Sequence, residues 1–122
     1  PLHAGDNRDR GGNDINVDMG PQREPRSLHG LWDRQVVDHA MRGESERAFA
    51  RQLARENRRN VERLQSGTLT DWMQESYAYA RDFVYPRVPS FACGQSPPFI
   101  VRLDENYRRE AAKIARERLA RA

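Results

Sequence analysis

Between Ser27 and Gly43 apolar residues recur at the 3.6-residue period of a helix. Trp32, Val36, Val37, Ala40 and Met41 fall on one stripe, and His29 and Asp33 fall on it with them. Ser27 is placed to cap this segment and Gly43 to end it, so the pattern predicts a helix over 27–42. Phe49, Leu53, Val61 and Leu64 make a thinner stripe that predicts an outer helix over 45–65. After Gly67, Thr70 as cap and Asp71 in the first turn open a helix over 70–85. Its broad face of Trp72, Met73, Ser76, Tyr77, Ala80, Phe83 and Val84 reads as core, and Pro86 stops it. A last helix over 104–122 carries Tyr107, Ala111, Ile114, Ala115, Leu119 and Ala122 on one side. Residues 1–26 show no helical period and are broken by glycine and proline, which predicts an irregular segment, with Ile15-Asn16-Val17 a short strand after a Gly-Gly turn. Arg87 to Leu103, with Pro89, Gly94, Pro97 and Pro98, reads as a loop. The expected fold class is all-α, part of a helical bundle behind an irregular N-terminal loop segment.

Composition narrows this picture modestly. A chain of 122 residues is one small domain at most. The net charge of +3 suits a polyanionic partner, but 21 basic residues are interspersed with 18 acids, and a solvated helical surface accounts for most of them. Arg51, Arg55, Arg58, Arg59 and Arg63 alternate with acids around their helix instead of gathering on one face with aromatics, as a reader of nucleic acid would have them. No stretch approaches the roughly 20 apolar residues of a membrane span, so no membrane partner is expected. Cys93 is the single cysteine; it is either an unpaired thiol or bonded to a cysteine outside these residues, which would suit a secreted or periplasmic protein. No signal peptide is present, and because the chain opens on proline that says nothing about export.

The polar members of the first stripe carry the chemistry. An imidazole and a carboxylate facing inward among Trp, Val and Met need partners, since burying either alone costs several kcal/mol. The spacing of His29 and Asp33 puts them one turn apart on one face, about 5–6 Å between Cβ atoms. That suits a shared cation, and it suits a plain His–Asp pair equally. His39 is rotated away from the stripe, and His3 taken alone is an ordinary terminal histidine. Asn13 follows Gly11-Gly12, where the main chain can come close to another group and the amide can donate to a phosphate or a base edge.

Pro1-Leu2-His3, then Gly11-Gly12-Asn13, then Leu28-His29-Gly30-Leu31-Trp32-Asp33 is an ordered series that resembles the zinc-dependent single-strand nucleases of the S1/P1 type. Trp72, Glu75 and Ser76 are similar to a Trp-x-x-Glu-Ser segment near that family's end. The likeness is strongest over Pro1 to Asp33 and looser from Trp72 onward, and it implies the phospholipase C/nuclease-like helical fold. It implies that His3, His29 and Asp33 bind one Zn2+, that Asn13 contacts the nucleotide, and that Arg10, at a position apolar in some members, helps line a base pocket. Three zinc ions are expected in the full enzyme. The other two would draw ligands from an N-terminal half, so the chain reads as the C-terminal portion of a single nuclease domain, cut at both ends. The activity implied is endonucleolytic hydrolysis of single-stranded DNA and RNA to 5′-nucleotides, with 3′-nucleotidase activity beside it, in a secreted or periplasmic enzyme. Cys93 would then pair with a cysteine of the absent half, and this portion alone is expected to be inactive. Two alternatives stay open: a zinc phospholipase C relative, and a non-catalytic helical interaction module in which His29 and Asp33 merely pair. On the nuclease reading, the apolar faces of the His29 and Trp72 helices should be partly exposed.

Overall fold

The computed structural model of the chain describes residues 10–18, 26–87 and 100–121. His3, Cys93, Ala122 and the loop positions Pro89, Gly94, Pro97 and Pro98 lie outside the described residues. In chain order the elements are β1 (Asn16–Asp18), β2 (Arg26–Ser27), α1 (Leu28–Gly30), a π-helical turn (Leu31–Gln35), α2 (Val36–Met41), α3 (Glu46–Glu56), α4 (Val61–Gln65), α5 (Leu69–Tyr79), a second π-helical turn (Ala80–Val84), a 3₁₀ turn (Tyr85–Arg87), β3 (Val101–Arg102) and α6 (Glu105–Arg121). The chain is mostly helical, as expected, with a small three-stranded sheet added.

The sheet fastens the N-terminal segment to the helices. β1 is its middle strand, antiparallel to β2 with Asn16 opposite Ser27, and parallel to β3 with Val17 opposite Val101. Alternate residues face one side of a strand, and here Ile15, Val17, Val101 and Leu103 go into the core. Beyond the ladder, the Leu28 amide donates to the Ile15 carbonyl at 2.8 Å, which ties the start of α1 to the segment before β1.

The first helix departs from its expected face. Its buried residues are Leu28, Leu31, Gln35, Val36 and Ala40, whereas His29 and Asp33, expected inward, are exposed. The π turn is the reason. The Val36 amide bonds to the Leu31 carbonyl five residues back, which widens the turn by one residue and shifts the register of the inward stripe. Two other boundaries move as well. The helix expected over 45–65 is broken between α3 and α4, where the Asn57 side chain donates to the Leu53 carbonyl at 2.9 Å and the Asn60 amide to the Asn57 carbonyl at 2.8 Å. Asparagine side chains compete for main-chain groups in this way and favour turns over helix interiors. The cap of α5 is Thr68 instead of Thr70: its hydroxyl accepts from the Asp71 amide at 3.2 Å, and Asp71 accepts from the Thr68 amide at 2.7 Å, a reciprocal capping box.

Packing is centred on α6, whose Tyr107, Ala111 and Ala115 form a buried stripe with α2's Ala40 in the same cluster. Near the start of α6 Tyr107 stacks on Phe83 at 4.9 Å and meets Trp32 edge-on at 6.3 Å. The Trp32 indole donates to the Tyr107 hydroxyl at 3.0 Å. The Trp72 face splits in two. Ala80 is buried and Phe83 and Val84 pack on the core, but Met73 and Tyr77 are 65% and 53% exposed, so the expected core face is corrected for this half of the helix. α5 is held to α6 through polar contacts instead. Arg118 donates to Glu75 at 2.7 Å and to Ser76 at 3.0 Å, and Arg121 also bonds Glu75, whose carboxyl is held below its ordinary range first by Arg121 and then by Arg118.

Burial pushes the Tyr107 phenol up from 10.0 to about 12. A raised folded-state value leaves stability intact below the unfolded value and removes it as pH climbs through the folded one. Urea unfolding should therefore show a loss of stability between about pH 10 and 12 that Tyr107→Phe does not share. At neutral pH that substitution, which strands the part-buried indole N–H of Trp32, should cost about 1–2 kcal/mol.

Candidate metal centre

The site begins where β2 becomes α1. Ser27 keeps extended backbone, and its hydroxyl accepts from the Gly30 amide at 3.0 Å, which fixes the first turn. Leu28 is buried in that turn and His29 stands beside it, facing out. Two glycines approach the turn from the preceding loop. The Gly12 carbonyl accepts from the Ile15 amide at 3.4 Å and from the His29 amide at 3.3 Å, and the Gly11 carbonyl lies 3.3 Å from His29 Nδ1. A carbonyl only accepts, so Nδ1 carries the hydrogen of that contact. The other ring nitrogen, Nε2, lies 2.9 Å from Asp33 Oδ2, a hydrogen-bond distance at which a bound metal would take the place of the Nε2 hydrogen.

These side chains are 46% and 66% exposed, so the pair sits at the surface and no desolvation forces it together. Zinc is held at about 2.0–2.2 Å by imidazole nitrogen and carboxylate oxygen, and two such donors on one ion lie roughly 3 Å apart. The tetrahedral angle sets that separation closer to about 3.3 Å, so the 2.9 Å between Nε2 and Oδ2 is a hydrogen-bond length that a small outward turn of either side chain would open to admit an ion. A ligating histidine also gives its other N–H to a carbonyl or carboxylate, as Nδ1 does to Gly11. The residues present therefore fit two positions of a metal-ligand set. Among the described residues no group of three His, Cys, Asp or Glu side chains comes together, and His3 lies outside them. His39 is exposed on α2 and lines a different concavity with Arg109 and Lys113.

The loop before the pair is shaped by left-handed backbone at Arg10, Gly11 and Gly12, with φ of 51°, 70° and 88°. Two side-chain clasps hold it. Asn13 is exposed and donates from Nδ2 to the Arg10 carbonyl at 2.9 Å. Arg10 grips Asp14 through Nε and Nη2 at 2.8–3.1 Å, which raises the guanidinium's affinity for its proton. Next to His29 and Asp33 opens a cleft of about 330 Å³ with Trp32, Tyr79, Tyr85 and Arg118 in its wall. A larger concavity of about 780 Å³ lies between α2, α3, α4 and the end of α6 and shares Asp33 with it. The smaller cleft is the one that holds both members of the pair.

The family model described as S1/P1 nuclease matches residues 1–122. The chain belongs to the S1/P1 nuclease family. It thereby falls among the hydrolases that cut nucleic acid. No curated protein and no solved structure gave a match. Three of the four sequence motifs fall among the described residues: the Gly-Gly-Asn loop lies directly over the Leu-His-x-x-Trp-Asp turn, and the Trp-x-x-Glu-Ser segment lies on α6 through Arg118. Sequence reading missed the Gly11 carbonyl, a main-chain atom with no signature of its own. It also missed Tyr107 as the partner of Trp32, for which its place at the head of the α6 stripe is the only signal.

Ser27 supports the His29 turn through one side-chain bond. Ser27→Ala should lower stability by about 1 kcal/mol in urea unfolding, the usual cost of a lost cap.

Proposed function

We propose that this chain carries one zinc site of a nuclease that hydrolyses single-stranded DNA and RNA to 5′-nucleotides, with 3′-nucleotidase activity as the same chemistry on a shorter substrate. His29 and Asp33 hold the ion together with His3. The observation that carries this reading is the convergence of His29 Nε2 and Asp33 Oδ2 at 2.9 Å, with Nδ1 turned to the Gly11 carbonyl. When bound, the ion would supply positive charge to a phosphate oxygen and to the departing 3′ oxygen.

The chain's own groups do the rest. Asn13 stands exposed at the rim of the pair and binds the nucleotide through its amide. Arg10, already engaged by Asp14, keeps the loop in shape and stands at the edge of the base pocket. Trp32 and Tyr79 in the cleft wall offer apolar faces to an unstacked base, which a duplex would have to flip out. That supports the single-strand preference. Of the three histidines two serve this ion, so the chain supplies ligands for one cation and is inactive, or nearly so, by itself. Ligands for two further ions come from other parts of the enzyme. Secretion or a periplasmic location, with Cys93 in a disulfide to another segment, completes the proposal.

A second reading stands on the same contact: a surface His–Asp pair is complete as an ion pair and needs no metal. Zinc stoichiometry after dialysis separates the two. The nuclease reading expects about one zinc per chain, lost in His29→Ala, with no robust turnover of single-stranded DNA by the pure chain. A folded chain that takes up no zinc, or a variant that binds it as well as the parent, favours the ion pair. Robust turnover would show that one cation site suffices.

A further inference from the structure

Gly12 sits where a side chain would be crowded as well as strained, and the reason leads to His29. Gly12 is buried with φ +88°, and a Cβ there would lie 3.2 Å from the His29 amide nitrogen and 3.2 Å from the Leu28 Cβ. The neighbours in the way are the main chain and the root of a buried side chain, neither of which can swing aside. The missing Cβ allows the loop to lie against the His29 turn, with the Gly12 carbonyl bonded to the His29 amide and the Gly11 carbonyl within reach of Nδ1. Gly43 offers the contrast: it too has positive φ, +81°, but nothing lies within 4 Å of its Cβ position.

We propose that the Gly11–Gly12 main chain is the positioning element of the cation site. The Gly11 carbonyl fixes the hydrogen on Nδ1 and so reserves Nε2 for a metal, and Gly12 keeps that carbonyl in place by closing the loop onto Leu28 and His29. This rests on the reading of His29 and Asp33 as zinc ligands. It also joins the two halves of the site, because the loop that sets the imidazole is the one that presents Asn13. Asn13 itself clasps the loop through the Arg10 carbonyl.

The test compares Gly12→Ala with Gly43→Ala in the full chain. Both variants meet the same left-handed backbone penalty, and only the first meets His29. Two quantities are read: zinc affinity by competition with a chelator, and the ring-nitrogen chemical shifts of His29 in zinc-free protein. Gly12→Ala should weaken zinc binding by about tenfold or more, the scale of losing an outer-shell partner, and move the His29 Nδ1 signal away from that of a hydrogen-bonded N–H. Gly43→Ala should leave both unchanged. Equal losses in the two variants, or parental affinity in Gly12→Ala, overturn the proposal. A parent chain that takes up no zinc sinks the zinc reading by itself; the ring-nitrogen shifts then decide the positioning claim, which falls if Gly12→Ala leaves them as they were. Should Gly12→Ala not fold, Asn13→Ala, which releases only the clasp on the Arg10 carbonyl, takes its place: weaker zinc binding with moved His29 signals supports the proposal, and parental values in both overturn it.

Discussion

The structure depends on how closely α6 can approach α2. Three of the five residues the two helices bury in the core are alanines, Ala40 beside Val36 from one and Ala111 and Ala115 after Tyr107 from the other. Small residues let backbones come near, and the Arg116 guanidinium can consequently reach back to the Ala40 carbonyl at 3.2 Å. At the start of α6 large rings pack together, Tyr107 with Phe83 and Trp32, and the phenol satisfies the indole N–H. A larger residue at Ala111 would separate the pair along its length and leave Trp32, the residue between the two candidate ligands, without its support. Overpacking of this kind is typically worth about 1–3 kcal/mol.

The same packing forces the site outward. Trp32 reaches Tyr107 on α6 while Leu31 is fully buried, and the helix accommodates both with an extra residue in the Leu31–Gln35 turn. The inward stripe then runs through Leu28, Leu31, Val36 and Ala40, while His29 and Asp33 move to the edge. π turns inside α-helices occur frequently at functional sites, and here the turn contains one of the two candidate ligands. A second π turn, Ala80–Val84, brings Phe83 and Val84 to the core from a helix whose first half stays exposed.

How much of this is legible in the sequence depends on the range of the interaction. The Ser27 cap, the Phe49 and Leu53 stripe of α3, the Tyr107, Ala111 and Ala115 stripe of α6, and the pairing of His29 with Asp33 rest on residues within a turn of one another, and the chain's own spacing carries them. What local spacing cannot carry is the π turn, because it answers a tertiary demand, and the face of Met73 and Tyr77, because apolar periodicity records an amphipathic helix without saying what covers it. The sheet is half legible: Ile15-Asn16-Val17 reads as a strand, but two-residue partners at Arg26–Ser27 and Val101–Arg102 carry no pattern. The match of the family model to residues 1–122 agrees with the ordered motifs that the sequence displays.

The chemistry of the pair follows from what surrounds it. In a chain with 21 arginines and lysines, Asp14, Asp82, Glu56 and Glu75 are each bound by an arginine. A carboxylate held by a guanidinium is committed, since that group keeps its proton in a protein and can never become a metal ligand. Asp33 instead meets an imidazole, the one cationic side chain that can give up a proton and bind metal through the nitrogen it leaves bare. The Gly11 carbonyl determines which nitrogen that is. Exchanging His29 for arginine would keep an ion pair with Asp33 and change little in the fold, yet it would remove the nitrogen donor that a cation could use beside the carboxylate. Histidine at this position therefore keeps ligation open where arginine would close it.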